Sequence, residues 1–363
     1  MTTNKRSKIL HTESAYGWGG QERRIIVEIQ GLIDRGYWVA LAAPEDSPIF
    51  NQAKKQKIPV FNLPFKKRNL ANIYQLMKII INEKINILNT HSSWDSWMGG
   101  IAKLLYPKFK LVRTRHLSTD IGRNPSTKLI YDILPDKIIT TGEAIRQKMI
   151  SYNKFNPEKI VSIPTGVDLK KFNFNKVNPL LKEDSFIIGT VSVLRSWKGH
   201  KYLIKAIPKI LSFIPDLKLY IVGDGPQRKN LENLCEELKL EKYVIFLGYR
   251  EDIPELIASF DILVHPSTGH EGVPQTILQA LAMKKPVIAC DTGSIGEVIK
   301  NQKTGILIPP KDIDSLAKAI INFYENPDLA RIMAENGYNL VSKKYSLNSM
   351  IDQIEEVYLS LVS

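Results

Sequence analysis

Short apolar runs alternate with segments of helical periodicity along the whole chain, without the turn signals that join strands into hairpins. Residues 8–11 form one such run, and Gln21–Arg35 then carries apolar residues at helical spacing. Gly36 is suited to end that helix, and the apolar run 38–43 predicts the next strand. Strands joined through helices run parallel, because only a hairpin reverses the chain within a few residues. The alternation therefore predicts parallel sheets with helices on both faces.

The alternation occurs in two cycles, and a chain of 363 residues exceeds what a single hydrophobic core usually supports. The second cycle begins after Ile163–Asp168, and the segment 164–185, with its Pro, Gly, Asn and Lys, is the predicted linker. Further strands are predicted at 85–88, 111–112, 137–140, 186–193, 217–222, 244–247, 262–264 and 287–289, with a helix at 202–213. We expect an α/β protein with two doubly wound, Rossmann-like domains, residues 1–165 and 166–346, facing each other across a cleft.

The positive charge is concentrated in the first half of the chain. Residues 1–165 carry 26 Lys and Arg against 13 Asp and Glu, whereas residues 166–363 carry 24 of each, and the net charge is +13. Such asymmetry favours an anionic partner for the first half, either nucleic acid, an acidic membrane surface or a phosphorylated lipid. A solvated basic surface without a partner explains the charge equally well.

Composition excludes several other classes of protein. With 44% apolar and 24% charged residues, the chain is typical of a soluble globular protein rather than a disordered one. The segment MTTNKRSKIL lacks the apolar centre of a signal peptide, and no run of 18 apolar residues predicts a membrane span. Cys235 and Cys290 match neither a disulfide framework nor a zinc site. We therefore expect a cytoplasmic location.

In doubly wound sheets, ligands bind where strands end and loops lead into helices, which directs attention to loops 11–22, 193–200 and 265–279. The loop Gly17–Gly20 follows the first strand, and its small residues would let the backbone approach a phosphate or a sugar. Glu22 stands where a dinucleotide fingerprint needs a third glycine or alanine, so that fingerprint is absent. A plain tight turn is the alternative.

The second loop contains two cations between a predicted strand and a predicted helix. Arg195 and Lys198 suit a diphosphate, because Arg can bridge two oxygens and Lys supplies a mobile point charge. An ordinary solvated basic loop explains them equally well.

The third loop combines a carboxylate with the signals of a helix start. Pro274 suits the first turn of a helix over 276–283, where its missing N–H costs nothing. Three nearby amides would then point at an anion, those of Gly272, Val273 and Gln275. Glu271 beside that anion would need a sugar hydroxyl or a cation, and Gln279 lies about two turns further along. Alternatively, Glu271 complements the helix dipole and Gln279 is a surface residue.

At these loops the chain resembles the retaining glycosyltransferases of family 4, which have the GT-B fold. The resemblance covers essentially the whole chain. Six segments carry it in the family's order: Gly19-Gly20-Gln21-Glu22-Arg23, Ile163–Asp168, Ile221–Pro226, Asp261–Ser267, Glu271–Gln275 with Gln279-Ala280, and Pro286–Gly293. Each segment alone is a weak match to the family, but six segments in the family's order are a specific match.

Two residues depart from the family pattern. Gln279 stands where the family has a second Glu that accepts hydrogen bonds from the ribose of the donor. Its amide oxygen can accept them without the assistance of charge, so we expect weaker donor binding rather than loss of activity. Val193 stands where the family has an Arg, and Arg195, three residues before Lys198, is the candidate replacement.

The resemblance implies transfer of a sugar from a nucleotide diphosphate sugar, with retention at the anomeric carbon and with neither a metal nor a cofactor. Lys198, Arg195 and the helix near Pro274 would neutralise the departing diphosphate, and Glu271 would hold hydroxyls of the sugar. The implied catalytic residues are His116, Glu271 and Lys198. The remaining donor-binding positions are Gly19, Gly20, Arg195, Asp224, Arg250, Gly272, Val273, Gln275 and Gln279, of which Asp224 and Arg250 border the base pocket.

The basic first half would bind the acceptor. His116 follows a strand and matches a family position near the donor sugar and the reacting oxygen, although a lone histidine is more often structural. His91, Arg113 and Arg115 also fall at or near predicted strand ends. We expect a glycan or lipid-linked acceptor, such as a lipid-linked diphosphate sugar or a lipopolysaccharide core.

Two segments suit an anionic membrane surface, because they interleave aromatic and basic residues. They are Pro64–Arg68, which contains Lys66, Lys67 and Arg68, and Tyr106–Lys110. We expect peripheral attachment at the inner face of the cytoplasmic membrane, a role in cell-surface polysaccharide or lipopolysaccharide synthesis, and a C-terminal helix at 347–361 that packs back on the first domain.

Two alternatives stay open at this stage. A nucleotide-sugar epimerase of the same fold would release free sugar and would not need a basic acceptor half. A nucleic-acid-binding protein would suit the basic charge, but the chain has no helix-turn-helix, zinc ligand set or aromatic RNA-binding strand.

Overall fold

The computed structural model describes residues 7–65, 70–116, 120–269 and 271–362. The chain divides into two compact units. We call them the N-terminal unit, residues 1–164 with 348–363, and the C-terminal unit, residues 165–347.

The described residues of the N-terminal unit form a parallel sheet of seven strands. The strands are β1 (Lys8–Thr12), β2 (Trp38–Ala43), β3 (Val60–Asn62), β4 (Ile87–Thr90), β5 (Lys110–Arg115), β6 (Lys137–Thr140) and β7 (Ile160–Ser162). The helices are α1 (Gly20–Asp34), α2 (Pro48–Lys55), α3 (Leu70–Glu83), α4 (Ser93–Leu105), α5 (Pro125–Lys128) and α6 (Glu143–Ser151). The strand order β3-β2-β1-β4-β5-β6-β7 reverses direction beside β1, as in a doubly wound sheet.

The C-terminal unit contains a parallel sheet of six strands. The strands are β8 (Phe186–Val191), β9 (Leu217–Val222), β10 (Val244–Gly248), β11 (Ile262–His265), β12 (Val287–Cys290) and β13 (Ile306–Ile308), in the order β10-β9-β8-β11-β12-β13. The helices are α7 (His200–Leu211), α8 (Arg228–Glu237), α9 (Ile253–Ser259), α10 (Gln275–Ala282), α11 (Ile313–Glu325) and α12 (Pro327–Lys344). The strand order of this sheet reverses direction beside β8, which pairs with β9 and β11.

The predicted α/β architecture with two doubly wound, parallel sheets is confirmed. The predicted helix at 202–213 is α7, which begins two residues earlier, at His200. Sequence patterns missed β3, β7 and β13. These strands have three residues each, which is too short for a period of two to be read.

Helical spacing places the apolar side chains of α1 on the sheet. Ile25, Ile29 and Leu32 are fully buried and recur at positions i, i+4 and i+7. A final helix, α13 (Leu347–Val362), covers another face of α1 within the N-terminal unit. Gly31 permits this contact, because a Cβ there would lie 2.7 Å from Cγ1 of Ile351.

Polar contacts also hold α13 against the N-terminal unit. Arg35 reaches Glu355 with Nη1 and Asp352 with Nη2, each at 2.6 Å. The Tyr37 hydroxyl donates to Oε1 of Glu355 at 2.8 Å, and Tyr358 is buried. None of the helices described by the structure is long and apolar enough to cross a membrane.

Candidate functional site

Three histidines lie in a file along neighbouring strands of the N-terminal unit. His11 is on β1, His91 follows β4 and His116 follows β5, and these three strands are adjacent in the sheet. Nδ1 of His11 is 2.9 Å from Nε2 of His91, and Nδ1 of His91 is 3.0 Å from Nε2 of His116. The predicted site residues His91 and His116 therefore come together, and His11, which sequence reasoning did not single out, joins them.

The histidine file is neutral near pH 7. Burial lowers the pKa of His11 to about 3. Burial also lowers the pKa of His91 and that of His116 well below the ordinary value, and neighbouring positive or titratable groups act in the same direction. Each ring therefore carries one N–H and one lone pair, and each contact between rings is a single N–H···N hydrogen bond.

A buried polar cluster lies at the inner end of the file. Nε2 of His11 is 4.0 Å from Oε1 of Glu28. That oxygen accepts hydrogen bonds from the Tyr358 hydroxyl at 3.1 Å and from Nδ2 of Asn89 at 3.3 Å. Burial raises the pKa of Glu28, and the adjacent Arg24 opposes this effect. Periodicity could not reveal the cluster, because its members come from α1, β1, β4 and α13.

Two buried carboxylates stand at the same edge of the sheet. Glu13 accepts from the Ala15 amide at 2.7 Å, from Nε2 of Gln21 at 2.5 Å and from the Ser92 hydroxyl. Asp95 accepts from the Thr12 hydroxyl at 3.0 Å and from the His91 amide at 2.9 Å. Burial raises the pKa of Glu13, and burial together with the Glu13 carboxylate raises the pKa of Asp95 to about 7. Both carboxylates fasten the loops that follow β1 and β4.

The glycine loop forms the start of α1. Gly19 precedes the helix, and its amide donates to Oε2 of Glu22 at 2.7 Å. Gly20 begins the helix and has open space where a Cβ would stand. The donor-binding role of Gly19 and Gly20 stays a prediction.

The structure corrects part of the predicted acceptor and membrane surface. Arg113 is buried, and its Nη2 donates to the Tyr131 hydroxyl at 2.7 Å, so it cannot face a membrane. Arg115 is half-buried and donates to the same hydroxyl at 2.9 Å. Phe65 and Phe109 of the two interleaved segments are buried in the core. Lys66, Lys67 and Arg68 lie outside the described residues.

In the C-terminal unit, Lys198 and Glu271 form an ion pair. Nζ of Lys198 is 2.5 Å from Oε1 of Glu271, which also accepts from the Ser267 hydroxyl at 2.5 Å and lies 3.3 Å from Nε2 of His265. All these contacts involve Oε1. Oε2 has no hydrogen-bond partner within the described residues.

The surroundings keep Glu271 ionised. Burial by itself would raise the pKa of Glu271, but the Lys198 ammonium and His265 outweigh that effect and hold the pKa well below its ordinary range. Burial lowers the pKa of His265 and, with His265 and Lys198 nearby, lowers the pKa of His200 to about 3. A negative oxygen is therefore presented beside a cation in a largely enclosed place.

Two glycines make this approach of backbone segments possible. Gly199, next to Lys198, has φ +73°, and a Cβ there would lie 1.9 Å from the Pro266 carbonyl oxygen. Gly293 has φ +56°, and a Cβ there would lie 2.0 Å from the Glu271 carbonyl oxygen. Any other residue type would displace the chain that carries Glu271.

The helix that follows Glu271, α10, begins at Gln275, one residue earlier than the predicted helix over 276–283. Pro274 is the N-cap residue and not the first helical residue, which is Gln275. The first amides of α10 have no partner within the helix, so its N-terminus can attract an anion. Val273 is buried, whereas Gly272, Gln275 and Gln279 are half-buried. The role of Gln279 stays a prediction.

The other predicted donor residues are more exposed. The Arg195 guanidinium lies 5.1 Å from the ring centre of Trp197 and does not join the Lys198–Glu271 pair. Asp224 is exposed, and its Oδ1 accepts from the Gly225 amide at 2.7 Å. Arg250 pairs with Asp252 through Nε and Oδ1 at 2.8 Å. Asp224 and Arg250 follow the adjacent strands β9 and β10.

The C-terminal unit by itself can bind an anion and the hydroxyl groups attached to it, and the N-terminal unit presents a separate imidazole. In the C-terminal unit, Lys198 and the start of α10 supply positive potential, and Glu271 supplies an acceptor for hydroxyls. In the N-terminal unit, a half-buried imidazole ends a file of neutral histidines at the carboxyl edge of the sheet.

Two family models match the chain. The model for glycosyl transferases group 1 matches residues 171–340, and the model for glycosyltransferase family 4 matches residues 18–171. Neither model describes an epimerase or a nucleic-acid-binding protein, and those alternatives lose their support.

Curated relatives of similar length are glycosyltransferases. A UDP-Gal:alpha-D-GlcNAc-diphosphoundecaprenol alpha-1,3-galactosyltransferase of Escherichia coli is 29% identical over 99% of both chains. A putative glycosyltransferase of Bacillus subtilis, EpsD, is 28% identical over 89% of both chains.

Solved structures share the fold along the chain. A glycosyltransferase of Rickettsia africae has a TM-score of 0.90 with 25% identity and covers 99% of both chains. The Anabaena protein HepE, solved in complex with UDP, has a TM-score of 0.85 with 24% identity and covers 97% of this chain and all of its own. Two Rossmann-like units of this kind make up the GT-B fold. With both family models matched in order over residues 18–340, the chain belongs to the family 4 glycosyltransferases.

Proposed function

We propose that the protein transfers a sugar from a nucleotide diphosphate sugar to an acceptor hydroxyl, with retention at the anomeric carbon and without a metal or a cofactor. The Lys198–Glu271 pair beside the start of α10 carries this proposal. A cation and helix-start amides suit a departing diphosphate. The Glu271 carboxylate beside them suits the hydroxyls of the donor sugar.

Lys198 can serve both groups at once. Its ammonium has three N–H donors, and one of them is directed at Oε1 of Glu271. A second can meet a phosphate oxygen while the first keeps Glu271 in place. Oε2 of Glu271 is then the acceptor for a sugar hydroxyl.

The acceptor proton passes to the leaving group in this proposal. Glu271 is a poor general base, because its pKa is held well below the ordinary range. The bond between the anomeric carbon and the diphosphate oxygen breaks, and the acceptor oxygen forms a new bond to that carbon. The hydroxyl proton moves to the departing diphosphate oxygen. This transfer requires the acceptor hydroxyl to attack from the face that the diphosphate leaves, and attack from that face gives retention.

We propose a lipid-linked diphosphate sugar, or a related surface glycan, as the acceptor. The Escherichia coli relative is named for a diphosphoundecaprenol-linked acceptor. The excess positive charge of this chain in residues 1–165 suits an acceptor that carries phosphates. The reaction would contribute to cell-surface polysaccharide or lipopolysaccharide synthesis.

We also propose that the N-terminal unit touches an anionic membrane at the inner face of the cytoplasmic membrane. Large apolar side chains are exposed on its helices, with Leu70 at 82% and Tyr74 at 71% on α3 and Leu104 at 65% on α4. Exposed Lys78 stands on α3, and Lys108 follows α4. Apolar groups beside cations suit the boundary of lipid headgroups and acyl chains.

Ligand-detected NMR tests the donor proposal. The purified protein is mixed with UDP-, GDP-, ADP- and dTDP-sugars, with NAD as a negative control. We expect saturation transfer to one nucleotide sugar, lost in Lys198→Ala and Glu271→Ala and kept in Lys201→Ala, whose side chain is exposed on α7. Absence of transfer to every nucleotide sugar would overturn the proposal.

The anomeric configuration of the product tests retention. With the donor identified, NMR of the product should show the configuration of the donor, and the rate should be unchanged by EDTA. An inverted product contradicts retention, and loss of activity with EDTA that returns with a divalent cation contradicts metal independence.

A further inference from the structure

The histidine file His11–His91–His116 has chemically different ends. At the inner end, Nε2 of His11 lies 4.0 Å from Oε1 of Glu28, inside the protein and beyond hydrogen-bonding distance. At the outer end, His116 is half-buried at the carboxyl edge of the sheet. Its Nδ1 has no hydrogen-bond partner within the part of the chain that the structure describes. Between these ends, both contacts are N–H···N hydrogen bonds.

A neutral file of this kind has only two consistent proton arrangements. Each ring carries one proton, and each contact needs one donor and one acceptor. If His11 donates through Nδ1, then His91 donates through Nδ1 and His116 is left with its proton on Nδ1. If His116 donates through Nε2, then His91 donates through Nε2 and His11 is left with its proton on Nε2.

Glu28 selects between these arrangements. Its Oε1 accepts hydrogen bonds from Asn89 and Tyr358. This oxygen therefore carries no proton and is partially negative, whether or not Oε2 is protonated. The first arrangement would point the lone pair of His11 Nε2 at that oxygen in a buried place, which is repulsive. The second arrangement points an N–H at it, which is attractive.

We propose that His91 is a positioning residue which, with Glu28 at the buried end, holds His116 as the tautomer protonated on Nε2. Nδ1 of His116 is then a hydrogen-bond acceptor at the carboxyl edge of the sheet. It accepts from a substrate hydroxyl and rejects groups that only accept hydrogen bonds, such as phosphate oxygens. This inference rests on the proposed function for the identity of the hydroxyl, but the tautomer itself is a property of the protein alone.

The role assigned to His91 is distinct from that of a buried spacer. A neutral imidazole can hydrogen-bond on both sides at once, with one nitrogen as donor and the other as acceptor. Phe in its place would fill the space and break both hydrogen bonds. Gln would keep a donor and an acceptor on a side chain of different shape.

Nitrogen-15 NMR of the full chain labelled on histidine tests the tautomer without any assay of activity. The His116 signals are assigned by their loss in His116→Gln. We expect His116, His91 and His11 to be protonated on Nε2 in the wild type. In His91→Phe, we expect His116 to populate both tautomers, whereas in His200→Gln, in the other unit, His116 should keep one. A proton on Nδ1 of His116 in the wild type, or an unchanged His116 in His91→Phe, would overturn the proposal.

Kinetics test whether the tautomer matters to the reaction. Loss of one ordered hydrogen bond corresponds to a fall of about tenfold in kcat/KM for the acceptor in His91→Phe. We expect a smaller fall in His91→Gln and little change in the donor KM. A loss in His91→Phe that is no larger than the loss in His91→Gln would mean that the hydrogen bonds of His91 do not matter to the reaction and would overturn its positioning role. If NMR shows His116 protonated on Nε2 but no nucleotide sugar supports transfer, the proposed function is wrong, whereas the assignment of the tautomer is still correct.

Discussion

Lys198 and Glu271 hold opposite charges where little water reaches them. The side chains are 19% and 8% exposed, and their atoms approach to 2.5 Å. Removing one partner leaves the other charge enclosed without compensation, which is costly, whereas replacing both partners is often nearly neutral. Separating the two side chains would leave each charge enclosed without a partner, and this cost keeps them together.

A double-mutant cycle tests this coupling. We expect Lys198→Met to lower the free energy of unfolding by about 2–3 kcal/mol, somewhat less than for a fully buried pair because Lys198 is partly exposed. The double variant Lys198→Met/Glu271→Gln should recover at least half of that loss. Urea denaturation measures all four proteins. Additive effects of the two substitutions would contradict the coupling.

Gly293 controls the position of Glu271 through the backbone. A Cβ at this residue would lie 2.0 Å from the Glu271 carbonyl oxygen, and its φ of +56° is unfavourable for other residues. We expect Gly293→Ala to lower the unfolding free energy by about 1–3 kcal/mol and to weaken donor binding. Gly269→Ala is the matched control, because a Cβ at Gly269 meets no atom within 4 Å. Equal donor affinity for the two variants would contradict this role of Gly293.

At the scale of elements, strands β1, β4 and β5 carry the histidine file, and their pairing makes the N-terminal unit sensitive to acid. The pKa of His11 falls to about 3 in the folded protein, and those of His91 and His116 also lie well below 6.5. Between these values each of the three histidines binds a proton in the unfolded chain and none in the folded chain. Stability contributed by the neutral histidines is therefore present above pH 6.5 and is lost as the pH falls toward 3.

Chemical denaturation at several pH values measures this dependence. Each neutral buried histidine adds a slope of about 1.4 kcal/mol per pH unit between pH ~4 and ~6. We expect His91→Phe to reduce the slope by about that amount in this pH range. An unchanged slope in His91→Phe would mean that His91 is already protonated in the folded protein.

Helix α13 closes the polar cluster under the file. The Tyr358 hydroxyl accepts from Nδ2 of Asn89 at 2.8 Å and donates to Glu28. Removing it leaves buried polar atoms with fewer partners, so we expect Tyr358→Phe to lower the unfolding free energy by about 1–2 kcal/mol. Tyr324→Phe, on the exposed side of α11, is the control and should change it by less than about 0.5 kcal/mol. Thermal unfolding measures both, and equal effects would contradict the argument.

Elements were predictable where their pattern is local. The spacing of apolar residues in α1 and α7 shows a helical period within the sequence itself, and the runs 137–140 and 217–222 coincide with β6 and β9. Strands of three residues contain no measurable period, so β3 stayed unseen.

The candidate site was predictable only in part, because its contacts join residues that are far apart in the sequence. Lys198 and Glu271 stand in loops with recognisable helix-start signals and a family resemblance. Their mutual contact spans 73 positions and no local pattern encodes it. His11 occupies a strand like any other buried residue, and only the order of β1, β4 and β5 brings it to His91. The burial of Arg113 against Tyr131 could not be predicted either, because charge alone does not reveal it, and the role of Arg113 toward the acceptor stays a prediction.

At the scale of the whole molecule, the charge is divided unequally along the chain, and this division predicts how the protein responds to lipid. Residues 1–165 carry the whole excess of positive charge. Attraction to anionic lipid should therefore reside in the N-terminal unit, and it should weaken as salt screens the charges.

Co-sedimentation with vesicles tests this expectation. We expect binding to vesicles that contain anionic lipid at low salt, little binding to neutral vesicles, and release at high salt. Leu104→Ser with Leu105→Ser should weaken binding several-fold, because each residue is more than 60% exposed on α4. Ile332→Ser, exposed on α12 of the other unit, should not. Failure to bind anionic vesicles at low salt would remove the membrane proposal.

The N-terminal unit is assembled from both ends of the described chain, with the C-terminal unit between them. On the ribosome, strands β1 to β7 emerge long before Tyr358 does. Until α13 is synthesised, Asn89 and Glu28 lack one partner, and the surface of α1 around Gly31 stays uncovered. The polar cluster of the first unit can therefore be completed only after α13 is synthesised, whereas the residues of the second unit are consecutive and are all available before then.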